Sequence, residues 1–205
     1  MFIIKKEELN FINKNINSSY KKNNFGILFY SLVYCLKPKV CVEIGVLEGY
    51  SASFIGLALR DTGGGKLYAY DLWEKYPFKH AKLEDTQKNI DHLSLGKYIE
   101  LRTKEAEEVC IEWENNSIDF IHIDISNDGS IFDKMLKMFH LKLKLGGIII
   151  FEGGSKERDG VEWMVKFKKP KISEAIDKNL LLKEKFQFLV LEPFPSITIC
   201  KKIKN

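Results

Sequence analysis

From residue 39 onward the chain alternates short apolar runs with helical stretches, and this alternation constrains the fold more than any other feature. The runs are residues 39–44 (KVCVEI), 66–71 (KLYAYD), 98–101, 118–125 (IDFIHIDI) and 147–151 (GIIIF). Between them, residues 51–59, 83–95, 104–111 and 130–143 have helical spacing or composition. Strand–helix alternation implies a parallel sheet with helices on both faces. Near-continuous apolar runs such as GIIIF fit strands buried on both sides. Helical candidates at 161–167 and 173–179 precede two final runs, 186–191 and 196–200. Only Glu192-Pro193-Phe194-Pro195 joins those two. A parallel crossover needs about a dozen residues or more, so the final pair is expected to be antiparallel. The expectation is an α/β sheet of about seven strands, mostly parallel, with an antiparallel C-terminal strand.

The first 38 residues read differently. Residues 5–17 are amphipathic and 24–36 strongly apolar, and Lys37-Pro38 then stops the second helix. They are assigned to an N-terminal helical cap, and residues 39–205 to a single domain. The apolar run 25–36 is about a dozen residues, whereas a membrane span takes about 20, so no membrane partner is expected. The start of the chain shows no signal-peptide core, and the four cysteines form no CxxC pair. Both point to a reducing, cytoplasmic setting. Basic residues exceed acidic ones only 32 to 28, and just three are Arg: Arg60, Arg102 and Arg158. Base-edge and bidentate phosphate recognition favours Arg, so nucleic acid is not an expected partner.

In an open parallel sheet, ligands bind beyond the carboxyl ends of the strands. The first strand runs into Glu43-Ile44-Gly45-Val46-Leu47-Glu48-Gly49-Tyr50-Ser51. A dinucleotide fingerprint needs glycine at three positions to seat a pyrophosphate, and Leu47 and Tyr50 occupy the second and third. That opposes a nicotinamide-dependent oxidoreductase. Asp71, ending the second run, stands where an acidic side chain accepts ribose hydroxyls. The implied ligand has a ribose but no pyrophosphate.

Here the chain resembles a known family. KVCVEIGVLEGYSASFIGLAL is similar to motif I of the class I S-adenosylmethionine-dependent methyltransferases, and KLYAYDLW to their acidic second-strand motif. SIDFIHID and LKLGGIIIFEGG are similar to their fourth- and fifth-strand motifs. The resemblance covers residues 39–202 and is nearest to small-molecule O-methyltransferases of the catechol and macrolide-sugar type. It implies a Rossmann-like doubly wound sheet binding S-adenosylmethionine. Gly45 and Gly49 would admit the methionine part of the cofactor, with Glu43 beneath the loop near its ammonium. Tyr50 and Ser51 would start the next helix, Ser51 capping its amides. Asp71 would hold the ribose, with Leu72 and Trp73 flanking the adenine. Lys104 and Glu105 fall at the adenine amino group, where the family usually carries Gly-Asp-Ser. Asp124 would face the methyl group and the acceptor.

Methyl transfer needs an aligned acceptor and often a base. Asp124 and Glu152, at the ends of neighbouring strands, are the catalytic candidates. They either ligate a divalent metal holding an acceptor hydroxyl, or one acts as general base. The metal is the less favoured reading, because Gly153 follows Glu152 where metal-dependent relatives have a second ligating side chain; Asn127 or Asp128 would have to complete the shell. His122, within a strand, reads as a buried packing residue. Glu157, Arg158 and Asp159 read as a solvated loop, the alternative being a gate to the acceptor. The expected function is O-methylation of a small-molecule acceptor, in a monomer or homo-oligomer. The alternative is a catalytically silent cofactor-binding regulatory or assembly protein.

Overall fold

The computed structural model describes residues 4–78 and 80–205. The first three residues of the expected cap, and Lys79, lie outside the described residues. The chain divides into two compact units, Met1–Ala106 and Glu107–Asn205. Among the described residues, seven strands form one sheet in the order β3-β2-β1-β4-β5-β7-β6.

In the first unit, α1 (Lys6–Asn15) and α2 (Phe25–Leu36) precede β1 (Val40–Ile44), α3 (Tyr50–Asp61), β2 (Lys66–Asp71), α4 (Leu83–His92) and β3 (Ile99–Thr103). β1 pairs in parallel with β2 and β2 with β3, which sets Ile44 opposite Tyr70 and Asp71 opposite Thr103. The residues after β1, β2 and β3 therefore emerge at one edge. α3 is buried from Tyr50 to Leu59, as its unbroken run of small and apolar residues requires. α1 is joined to α3 by the Glu8–Arg60 ion pair at 2.5 Å, and the Tyr30 hydroxyl of α2 donates to Asp61 at 2.8 Å. The N-terminal helices thus contribute to this unit's own core.

The second unit begins with α5 (Ala106–Glu112), which spans the boundary, then β4 (Ile118–Ile123), α6 (Gly129–Phe139) and β5 (Leu143–Glu152). Four short helices follow: α7 (Lys156–Asp159), α8 (Glu162–Lys166), α9 (Ile172–Lys178) and α10 (Leu180–Lys185). β6 (Phe186–Leu191) and β7 (Ile197–Lys202) end it. β4 and β5 are parallel, while β7 runs antiparallel to both β5 and β6. The antiparallel final pair is as the short Pro-containing connection required. α6 buries Phe132, Met135, Leu136 and Phe139, a helical stripe, and Phe132 packs on Phe151 of β5 at 4.6 Å between ring centres. The helix expected over 130–143 stops at Phe139, and Leu143 opens β5 instead. Lys202, from the short basic tail, is buried in β7, its ammonium donating to the Leu143 carbonyl at 2.8 Å.

Candidate functional site

In the first unit the site is built around the turn after β1. Gly45 and Gly49 both have φ of +87°, and Leu47 between them has φ of +51°. A left-handed Leu is costly unless its surroundings impose it. Here they do. The Asp71 carboxylate accepts the amides of Val46 at 2.7 Å and Leu47 at 2.9 Å, and its other oxygen accepts those of Leu72 and Trp73 at 2.7 and 3.1 Å. The Thr86 hydroxyl of α4 donates to the Leu47 carbonyl at 2.8 Å, and the Asn89 amide to that of Glu48 at 3.1 Å. The backbone and side-chain amides of Asn17 grip the Glu48 carboxylate at 2.7 and 2.9 Å.

Asp71 thus fixes the shape of the glycine turn. It is partly exposed, and each of its oxygens accepts two backbone amides. Glu43 is fully buried beneath the turn and accepts the Ser51 hydroxyl at 2.5 Å. That corrects the expected cap: Gly49 is the N-cap of α3 and supplies no side chain, while Ser51 points its hydroxyl at Glu43. Tyr50 turns toward the helices, its ring 5.1 Å from Phe54. Burial pushes its phenol up, opposed in part by a hydrogen bond with the Gly26 backbone. Its side chain serves packing. Lys104 is brought to the end of β2 by its amide, which donates to the Asp71 carbonyl at 3.2 Å, and Glu105 is exposed. Leu72 is half-buried, and Trp73 is buried with φ of +51° and an indole N–H that has no partner among the described residues.

In the second unit, Ile123 of β4 pairs with Phe151 of β5, so Asp124 and Glu152 follow side by side. Asp124 is half-exposed and Glu152 buried. Glu152 does not present itself as a base. Its carboxylate is held by the Arg158 guanidinium, Nε on one oxygen and Nη2 on the other, the latter at 2.8 Å. The two-pronged pair leaves neither carboxylate oxygen of Glu152 free to meet an acceptor. Burial works against the Arg158 charge, but Glu152 first, then Asp124 and Asp159, hold its pKa up. Arg158 and Asp159 are therefore buried parts of the site, not a solvated loop. Asp159 accepts the amides of Ile172 and Ser173 at 2.8 and 3.0 Å, opening α9. Asp128 caps α6 through Ser130 and Ile131 and faces Lys169 at 3.3 Å. The Asn127 amide nitrogen donates to the carbonyls of Ile123 and Glu152, both at 3.2 Å, tying the two strand ends. His122 is buried in β4 as expected.

Sequence reasoning missed Asn17, Thr86, Asn89 and Arg158. Thr86 and Asn89 share one face of α4 at i, i+3 spacing, but nothing local says that this face meets the glycine turn.

The glycine turn after β1 and Asp71 closing β2 stand at the carboxyl ends of parallel strands, the edge at which α/β sheets of this kind bind their ligands. The methyltransferase-domain family matches residues 42–152, more than half of the chain, and the chain belongs to that family. It is 27% identical over 151 residues to Probable caffeoyl-CoA O-methyltransferase 2 of Dictyostelium discoideum, covering 73% of this chain and 63% of that protein. The chain therefore spans less than two thirds of that curated relative's length. Among solved structures, a methyltransferase of Podospora anserina bound to S-adenosylhomocysteine superposes with a TM-score of 0.71 at 19% identity, over 98% of this chain and 89% of that one. An O-methyltransferase from Bacillus cereus in complex with the same compound gives 0.68 at 19% identity, over 98% and 94%.

Proposed function

We propose that the chain is an S-adenosylmethionine-dependent methyltransferase acting on a hydroxyl oxygen of a small molecule. The observation that carries this reading is the assembly around Asp71, which joins the end of β2 to a glycine turn of the right spacing. What supports the fit to the cofactor is that Gly45 and Gly49 carry no side chain into the turn, that the partly exposed Asp71 carboxylate holds the turn in shape, and that Leu72 and Lys104 follow the ends of β2 and β3 beside it. When bound, S-adenosylmethionine supplies an electrophilic methyl group on a sulfonium. The chain's own part is to hold the turn open and to receive the acceptor's proton. Asp124, half-exposed at the end of β4, takes that role, because Glu152 is engaged by Arg158. S-adenosylmethionine would supply the methyl group, leaving as S-adenosylhomocysteine as the oxygen–methyl bond forms, and Asp124 would take the hydroxyl proton.

Residues 1–38 serve as a cap over the turn or as a subunit contact; Asn17 on Glu48 supports the first role. The four cysteines, of which Cys41, Cys110 and Cys200 are buried, are in no disulfide among the described residues; a reducing compartment such as the cytoplasm is the setting we propose. No helix among the described residues is long and apolar enough to cross a membrane.

Calorimetry with S-adenosylmethionine, S-adenosylhomocysteine and NAD tests this reading. Binding of the first two and not the third is expected, and failure to bind either of the first two overturns it. The guanidinium hold on Glu152 is also what a catalytically silent binding protein would show. Cofactor binding without turnover over a panel of phenolic and sugar hydroxyls would favour that second reading.

A further inference from the structure

Four carboxylates follow the ends of β4 and β5 in the chain, Asp124, Asp128, Glu152 and Asp159, although among the described residues no three His, Cys, Asp or Glu side chains form a group that could hold a metal ion. Clustered carboxylates ordinarily attract a hard divalent cation. These do not fit one. Glu152 has both oxygens on Arg158. Asp128 caps α6 and Asp159 binds the first amides of α9. Asn127 turns its amide nitrogen into the site's carbonyls. Gly153 has no room for a ligating side chain, since a Cβ there would lie 2.5 Å from Ile172 Cδ1 with φ at +99°.

What the structure puts among these carboxylates is the Arg158 side chain, buried and seated 5.3 Å from the Trp163 ring. Its Nη2 also reaches the Asn127 carbonyl at 3.4 Å. We infer that Arg158 is the site's built-in cation: it takes the place of a divalent metal between Glu152 and Asp124, and the chain binds no metal there. This goes beyond the proposed methyl transfer and rests on it only for the use of the site. Arg158 is a positioning residue, acting through the carboxylates it fixes. Two buried atoms beside this arrangement, Arg158 Nη1 and Asn127 Oδ1, have no partner among the described residues. Asn127 Oδ1 is thus an acceptor able to join Glu152 and Asp124 as a ligand once the guanidinium is gone.

The test is a Mn²⁺ titration of the full chain followed by electron paramagnetic resonance, which reads neither cofactor binding nor turnover. The wild type is expected to bind no Mn²⁺ up to about 1 mM, the weak end of oxygen-ligand sites. The R158M variant is expected to bind at least ~10-fold more tightly than that limit, and R158M/E152Q to lose the gain. A purely structural arginine would produce no gain. One Mn²⁺ per wild-type chain, lost in E152Q, overturns the proposal, as does a folded R158M with no gain. The wild-type titration decides even if R158M fails to fold. Calorimetry with S-adenosylhomocysteine on the same samples tests the methyltransferase reading separately.

Discussion

The Asp71 carboxylate accepts the backbone amide of Leu47 at 2.9 Å, and Leu47 is held in the left-handed region at φ +51°. One acidic side chain thus stabilises the left-handed non-glycine conformation in the glycine turn. Asp71→Ala removes an acceptor from four amides at once. Water can replace part of this at a half-exposed site, so the expected loss is about 1–3 kcal/mol. Affinity for S-adenosylhomocysteine should fall at least ~10-fold, about 1.4 kcal/mol. Thermal melting and calorimetry on the same preparation read both, and an unchanged pair of values would refute the assignment.

Gly49→Ala tests the turn from the other side. At φ +87° an alanine is strained, and its Cβ would lie 3.2 Å from Thr86 Cγ2. The strain should cost about 1–2 kcal/mol, seen as a lower urea midpoint with an unchanged slope. Cofactor affinity should drop with it, because Thr86 also holds the Leu47 carbonyl.

Ser51→Ala should be more damaging than its place on a helix suggests. Its hydroxyl donates to Glu43, which is fully buried. Removing the donor leaves a buried carboxylate oxygen short of a partner, at about 1–3 kcal/mol. Ser51→Thr keeps the hydroxyl and should recover part of that loss. If alanine and threonine melt alike, the bond has no energetic weight.

Glu8 gives a pH signature. Burial raises its pKa, but the hydrogen bond from Arg60 and the Lys5 amide outweigh that and hold it below the ordinary 4.5. A carboxyl lowered by folding contributes stability that is complete above the unfolded value and is lost as the pH falls through the folded one. The wild type should therefore lose stability relative to Glu8→Gln below about pH 4.5, by an amount on the order of 1 kcal/mol for a partly exposed pair. Parallel acid-side slopes in urea unfolding would exclude the effect.

The strands were legible because their signal is local: β-branched runs of the right length, bounded by glycines and prolines. Asp71 stood out in the sequence as an acidic residue closing such a run, but its hold on four backbone amides, two of them in the glycine turn, was not readable there. Ser51 was misplaced because cap preference favours serine, whereas Gly49 adopts the φ that the turn demands. Arg158 was illegible for a different reason. Glu157, Arg158 and Asp159 in sequence look like a solvated charge cluster, and only the partners supplied by β5, Trp163 and α9 bury two of the three. Composition cannot report a burial that distant partners create. The same holds for Thr86 and Asn89, whose role depends on where α4 is laid down.

β7 follows β6 in the chain yet lies between β5 and β6 in the sheet. Each of those two strands takes β7 as its neighbour, in antiparallel register. Until β7 is in place, β6 has no neighbour in this sheet. Both β5 and β6 then carry an unpaired row of amides and carbonyls, the kind of edge that recruits other chains. Docking of β7 therefore closes two such edges in a single step.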